Sequence, residues 1–154
     1  MQCVFTGPGL LEHRNMSIIR ILLVDDFVPW HAAVKSLLKV NPALQVICTA
    51  TNGLEAIGKA QQFQPDLVLL DIGLPGINGI EAAAHILRVS PGSKIIFLSD
   101  NDCPAVQEKA LSMGAQSFVG KSVAVYQLLS AIDMVIKDFA RKIRALPIHP
   151  AEYC

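Results

Sequence analysis

Three aspartates, a serine and a lysine stand out in this chain because each closely follows a short apolar run. Asp25 and Asp26 come after Ile21-Leu22-Leu23-Val24, Asp71 after Leu67-Val68-Leu69-Leu70, and Ser99 after Ile95-Ile96-Phe97-Leu98. Lys121 comes just past Ser117-Phe118-Val119. Grouped carboxylates suit a hard divalent cation, which takes oxygen ligands. A carboxylate beside such a cation becomes a competent nucleophile toward a phosphoryl group, because the charge between the reactants is neutralised. An ammonium and a hydroxyl are the donors that transferred phosphoryl oxygens need. Together the five residues suit phosphoryl transfer to a carboxylate, provided the fold brings them together.

The intervening pattern supplies that fold. Strands are expected at Arg20 to Val24, Gln45 to Ala50, Asp66 to Leu70, Lys94 to Leu98 and Ser117 to Val119. Helices alternate with them, from about Val28 to Lys39, after Asn52-Gly53, from Gly79 to Val89, near Pro104 to Met113, and over a last stretch ending in Arg141-Lys142-Ile143-Arg144. Pro29 falls in a first helical turn, where its missing N–H has no intrahelical partner. Gly114 is placed to end the fourth helix in a left-handed conformation. The expected core-facing stripes are Trp30, Val34, Leu37 and Leu38, then Leu54, Ile57 and Ala60, then Ile80, Ala83, Ala84 and Leu87. In the last helix they are Val125, Leu128, Leu129, Ile132, Val135, Ile136, Phe139 and Ile143.

Continuous apolar strands alternating with helices dictate a parallel sheet buried on both faces. The expected architecture is α/β, a single doubly wound (βα)5 unit with strand order 2-1-3-4-5. All strand C-terminal ends then lie at one edge, so the five polar residues converge in the crevice there.

Composition narrows the function classes. The chain has 154 residues, 52% hydrophobic and 17% charged, as expected of one compact domain. Thirteen basic and thirteen acidic side chains cancel, which gives no electrostatic case for nucleic acid or an anionic membrane surface. No apolar run approaches the ~20 residues that a spanning helix needs. Met1 to Leu11 makes a poor signal peptide, so the expected location is cytoplasmic. Cys3, Cys48, Cys103 and Cys154 lack ligand or disulfide spacing, and His13, His31, His85 and His149 are scattered enough to be structural or solvated. Residues 1–17 are expected to form a disordered tail, or to reflect a start upstream of the true one at Met16.

In their order, Leu22-Leu23-Val24-Asp25-Asp26, Asp71-Ile72-Gly73-Leu74-Pro75-Gly76-Ile77-Asn78-Gly79-Ile80-Glu81, Phe97-Leu98-Ser99 and Ser117-Phe118-Val119-Gly120-Lys121 resemble the receiver domain of two-component response regulators. The resemblance covers roughly residues 18–142 and implies a receiver domain over 18–144 with the flavodoxin-like fold. It implies Mg2+ as cofactor, with Asp26 and Asp71 as direct ligands, Asp25 acting through water, and the Gly73 carbonyl as a backbone ligand. Asp71 is then the phosphoacceptor, Lys121 and Ser99 contact the transferred phosphoryl group, and Ser99 and Phe118 occupy switch positions. The implied partners are a sensor histidine kinase as donor and, for output, a downstream protein, an attached effector or a second copy of the chain. Such a domain is a signalling module rather than an enzyme acting on other substrates.

Three departures from the family pattern matter. Asp100 follows Ser99 where a small residue is usual, and within ~6 Å its carboxylate would repel a phosphoryl group by roughly 1–3 kcal/mol. Ser122 follows Lys121 where many receivers have proline, so a trans bond is expected there. The Leu-Pro-x-x-Asn-Gly-x-Glu context is most like receivers that precede a LuxR-type helix-turn-helix domain. Residues 145–154 offer only a tail or linker stub in its place, so either a single-domain receiver or a piece of a longer regulator fits.

Two other classes remain open from sequence: a receiver-like scaffold that is never phosphorylated, and a cofactor binder or phosphatase of similar topology. Against the latter, Asp25-Asp26-Phe27-Val28-Pro29 lacks a Ser/Thr/Gly-rich phosphate cradle. It also lacks the two aspartates spaced one apart of haloacid-dehalogenase-like phosphatases.

Overall fold

The three central strands are largely buried because consecutive residues point to opposite faces and both faces are covered, while the two edge strands are only partly buried. In the computed structural model, which describes residues 17–101 and 103–145, the strands are β1 (Ile19–Val24), β2 (Leu44–Ala50), β3 (Leu67–Asp71), β4 (Lys94–Ser99) and β5 (Ser117–Gly120). They form one parallel sheet in the order β2-β1-β3-β4-β5, as expected from sequence. The helices are α1 (Val28–Leu38), α2 (Gly53–Phe63), α3 (Gly79–Val89), α4 (Pro104–Ser112) and α5 (Ala124–Ala145).

The alternation along β1 sorts the core into two layers. Leu22 and Val24 face α2, α3 and α4, where they join Val68, Leu70, Ile95, Phe97, Ala56, Ile86 and Ala110. Ile21 and Leu23 face α1 and α5, where they meet Leu69, Ile96, Leu98, Val34, Leu128 and Ile132. Two sequence devices start the helices on the first face. Asn52 and Asn78 are N-caps whose side chains accept from the backbone N–H of Glu55 and Glu81. Gly114 ends the α4 turn at φ +97°, the left-handed conformation expected of it.

The helical stripes need correction. Leu54 and Val125, both placed in the core by periodicity, are 72% and 67% exposed. In α2 the buried positions are Gly53, Ala56 and Ala60, so small side chains let the helix lie close to the sheet. In α3 the deepest residues are Ala82 and Ile86, both of which the expected stripe omitted, while Ala84 and Leu87 are only partly buried. Phe139 and Ile143 lie outside the described side chains, and the tails expected at 1–17 and 145–154 lie almost wholly outside the described residues. One further local feature was not anticipated. The register of β1 on β2 shifts between Ile21 and Leu22, so that Ile21 pairs with Val46 and Leu22 with Cys48.

These burials make a paired prediction. Ile86→Ala is expected to cost about 2–5 kcal/mol, the range for truncating a fully buried aliphatic side chain. Leu54→Ala is expected to stay within about 0.5 kcal/mol. Urea unfolding of both variants beside the parent checks it, and equal losses would show that the stripe is rotated from the arrangement described.

Candidate functional site

The C-terminal edge of a parallel sheet collects the residues at which strands end, and here it collects all five. Asp25 follows β1 directly, Asp71 is the last residue of β3 and Ser99 the last of β4. Lys121 opens a short 3-10 turn (Lys121–Val123) between β5 and α5. Asp26, Trp30, Asp71, Ser99, Asp100 and Lys121 line one cavity of about 640 Å3, room enough for a phosphoryl group and part of its donor.

The three carboxylates are close but unequal. One oxygen from each of Asp25, Asp26 and Asp71 lies within 4.8 Å of the others, with Asp25 and Asp71 buried and Asp26 exposed. The acid pair does not cap α1, whose N-cap is Phe27 without a side-chain hydrogen bond. Asp25 Oδ1 instead accepts from the Phe27 N–H at 2.9 Å, and His31 Nε2 lies 2.8 Å from the Asp25 carbonyl oxygen. His31 is thus a structural histidine, as read from sequence. Asp71 Oδ1 accepts from the Gly73 N–H at 3.1 Å.

Lys121 ties the cluster together. Its ammonium is 2.5 Å from Asp25 Oδ2, 3.4 Å from Asp71 Oδ2 and 3.9 Å from Asp100 Oδ2. Asp25 Oδ2 is buried against this ammonium and takes no further hydrogen bond among the described residues. Burial raises the Asp71 pKa and the Asp25 charge adds to that, against the opposing pull of Lys121. For Lys121, burial acts against the ammonium, but Asp25, Asp71 and Asp100 outweigh it and hold the pKa above its ordinary value. Oxygens of Asp25, Asp26 and Asp71 within 4.8 Å of one another, with Asp25 and Asp71 sharing one lysine, fit a hard divalent cation in donor chemistry and spacing.

The loop after Asp71 is placed by a close approach. The N–H of Gly79, first residue of α3, donates to the Ile72 carbonyl at 2.8 Å. A Cβ at Gly79 would fall 2.0 Å from the Asp71 carbonyl oxygen, so only glycine lets α3 start there. Ser99 is 4% exposed, and its Oγ accepts from the Asn101 N–H at 3.1 Å. Phe118 is half-buried and packs on the α2–α4 side of the core. The described residues contain no cis peptide bond, so Lys121-Ser122 is trans as expected. Asp100 is at the rim with its side chain 88% exposed.

Trp30 has a second place that the sequence did not announce. Expected in the core stripe of α1, it does pack against that core, half-buried, and it also forms part of the cavity wall with its ring centroid 5.6 Å from the Lys121 ammonium. Helical spacing held no signal for this second place, since Asp26 lies before the α1 N-cap and an apolar residue in the first turn reads as core.

Comparison with known proteins agrees with this geometry. The family model described as the response regulator receiver domain matches residues 21–133. The chemotaxis protein CheY of Listeria monocytogenes is 32% identical over 120 residues, which is 78% of this chain and 100% of that protein. The transcriptional regulatory protein DegU of Brevibacillus brevis is 28% identical over 129 residues, and the match spans 84% of this chain but only 55% of DegU. The crystal structure of a LuxR-family two-component response regulator from Aurantimonas sp. SI85-9A1 superposes with a TM-score of 0.75 at 31% identity, covering 79% of this chain and 87% of that one. With an acid cluster, a hydroxyl and a lysine gathered at the sheet edge and a family match across most of its length, the chain belongs to the response regulator receiver domain family.

Proposed function

We propose that Asp71 accepts a phosphoryl group from the phosphohistidine of a sensor kinase, or from a small acyl phosphate. The carrying observation is the Lys121 ammonium set against the buried carboxylates of Asp25 and Asp71 in one open cavity. Asp25, Asp26 and Asp71, with the Gly73 carbonyl, are the groups that would hold Mg2+. Bound there, the ion supplies the neutralising charge that a carboxylate nucleophile needs to approach a phosphoryl donor. An Asp71 oxygen forms the new P–O bond while the bond from phosphorus to the donor breaks, and the departing group keeps that electron pair. The Gly73 N–H holds Asp71 Oδ1 and orients the other oxygen. Lys121 donates to a phosphoryl oxygen, and the Ser99 O–H donates to another while its oxygen accepts from the Asn101 N–H.

The product carries close to two negative charges where one stood. Ser99 and Lys121 move toward them, Phe118 repacks, and the α4–β5–α5 face shifts population toward a form that binds a downstream protein, an attached effector or a second copy. α4 suits this, because Ala110 is its sole buried residue. The reading places the receiver at residues 18–144 and the protein in the cytoplasm. No helix among the described residues is long and apolar enough to cross a membrane.

Three outcomes are expected. Intact-protein mass after incubation with acetyl phosphate and Mg2+ gains one phosphoryl group, and the gain disappears without metal and in Asp71→Asn. No gain, even from a kinase, would leave only a binding scaffold. Second, Asp100→Ala is expected to raise the phosphorylation rate about two- to fivefold, the scale of an exposed charge interaction. An unchanged rate and an unchanged phosphoryl lifetime would remove Asp100 from the chemistry.

The third concerns stability. Since the Asp71 pKa is raised by folding, its ionisation opposes the folded state at neutral pH. That opposition fades as pH falls through the raised value and is gone below the unfolded one. Asp71→Asn should therefore melt a few degrees above the parent at pH 7, with the gap closing in acid. Calorimetry across this range checks it; a gap that widened in acid would contradict the sign.

A further inference from the structure

Trp30 is the one tryptophan of the chain, and although it packs against the α1–α5 side of the core it also forms part of the cavity wall. Its N–H is buried and finds no acceptor among the described residues, so no hydrogen bond holds the indole in place. What the ring does offer is its face, 5.6 Å from an ammonium whose side chain is only 10% exposed. That distance lies within the range of cation–π attraction, which strengthens as the cation loses water.

In the arrangement described, Asp25 dominates the lysine, since Coulomb attraction at 2.5 Å exceeds cation–π attraction several-fold. The balance changes if Asp25 gives its charge to a divalent cation. Lys121 then loses its strongest partner, and the exposed Asp100 carboxylate draws the ammonium toward the rim. A neutral aromatic face 5.6 Å away holds the ammonium inside, and it competes with neither the cation nor the phosphoryl oxygens. A carboxylate in that place would compete with both.

We propose that Trp30 is a positioning residue: through its ring face it keeps the Lys121 ammonium in the cavity, facing Asp71, when Asp25 is engaged by a divalent cation. The inference rests on the phosphoacceptor reading and adds a residue to it. Because Trp30 lies in the first turn of α1, beside exposed Val28 and the exposed N-cap Phe27, it also ties the position of Lys121 to the start of α1.

A lone tryptophan permits a test that leaves size and burial nearly unchanged, by biosynthetic replacement with mono-, di- and trifluorotryptophan. Each fluorine withdraws charge from the ring face and weakens cation–π attraction. With acetyl phosphate and Mg2+, the rate of phosphoryl gain is expected to fall stepwise, by about two- to fivefold across the series. A flat series, in protein whose unsubstituted form is phosphorylated, would overturn the role of Trp30 and leave the phosphoacceptor reading standing. A second readout needs no phosphorylation. In Mg2+-loaded protein the ε-methylene protons of Lys121 should show an upfield ring-current shift in their NMR resonances. Its absence would overturn the proposal, whatever the fate of the phosphorylation assay.

Discussion

The Lys121 ammonium is what allows two buried carboxylates to stand at the same sheet edge. At about 4.8 Å and an effective dielectric near 20, two unit negative charges repel by roughly 3–4 kcal/mol. Burial adds the cost of stripping water from each. The lysine offsets this repulsion, but unevenly, being closer to Asp25 than to Asp71. The residue left partly uncompensated is the one whose pKa burial raises, Asp71. A site with this balance of charge could hold a divalent cation among Asp25, Asp26 and Asp71.

The scaffold is divided between a part that holds this edge still and a part that can yield. Residues Leu67, Val68, Leu69 and Leu70 bring Asp71 to its place, and all four are at most 1% exposed. α3 begins so close to the Asp71 backbone that no side chain fits at Gly79. The Ser90–Ser93 hydroxyl pair, bonded onward to the Pro65 carbonyl, ties the turn after α3 to the start of β3. Among the described residues α4 buries only Ala110, and half-buried Phe118 packs on the same face of the sheet. The charge sits on rigid ground, with the loosely held helix on the far side of Ser99.

Much of this was legible in the residues. Five apolar runs of strand length, each separated by a helix, left little choice but a parallel sheet, and the polar residue after each run had to lie at its edge. The cap residues Asn52, Asn78 and Gly114 act as their types dictate. The helix faces were less legible, because periodicity counts large apolar residues while close packing favours small ones. Gly53, Ala56 and Ala60 form the buried side of α2, and Leu54 beside them looks apolar but faces outward. Gln64 ends α2 in the left-handed conformation at φ 46°, a position where glycine is the usual signal. Its side chain donates to the Ala60, Gln61 and Val89 carbonyls, which supports that conformation through bonds no local pattern announces.

The sequence by itself determined which chemical groups share the sheet edge, because strand ends in a parallel sheet follow from chain order alone. Tertiary structure decided how those groups divide one another's charge. Lys121 pairs most closely with Asp25 rather than Asp71, Trp30 turns its face to the ammonium, and Asp100 reaches the same lysine from the rim. The physical reason is one of scale. Alternation and helix length place a backbone to within a residue or two, whereas an ion pair is made or lost over an ångström. That last ångström depends on how α1, β3 and β5, distant in the chain, pack against one another.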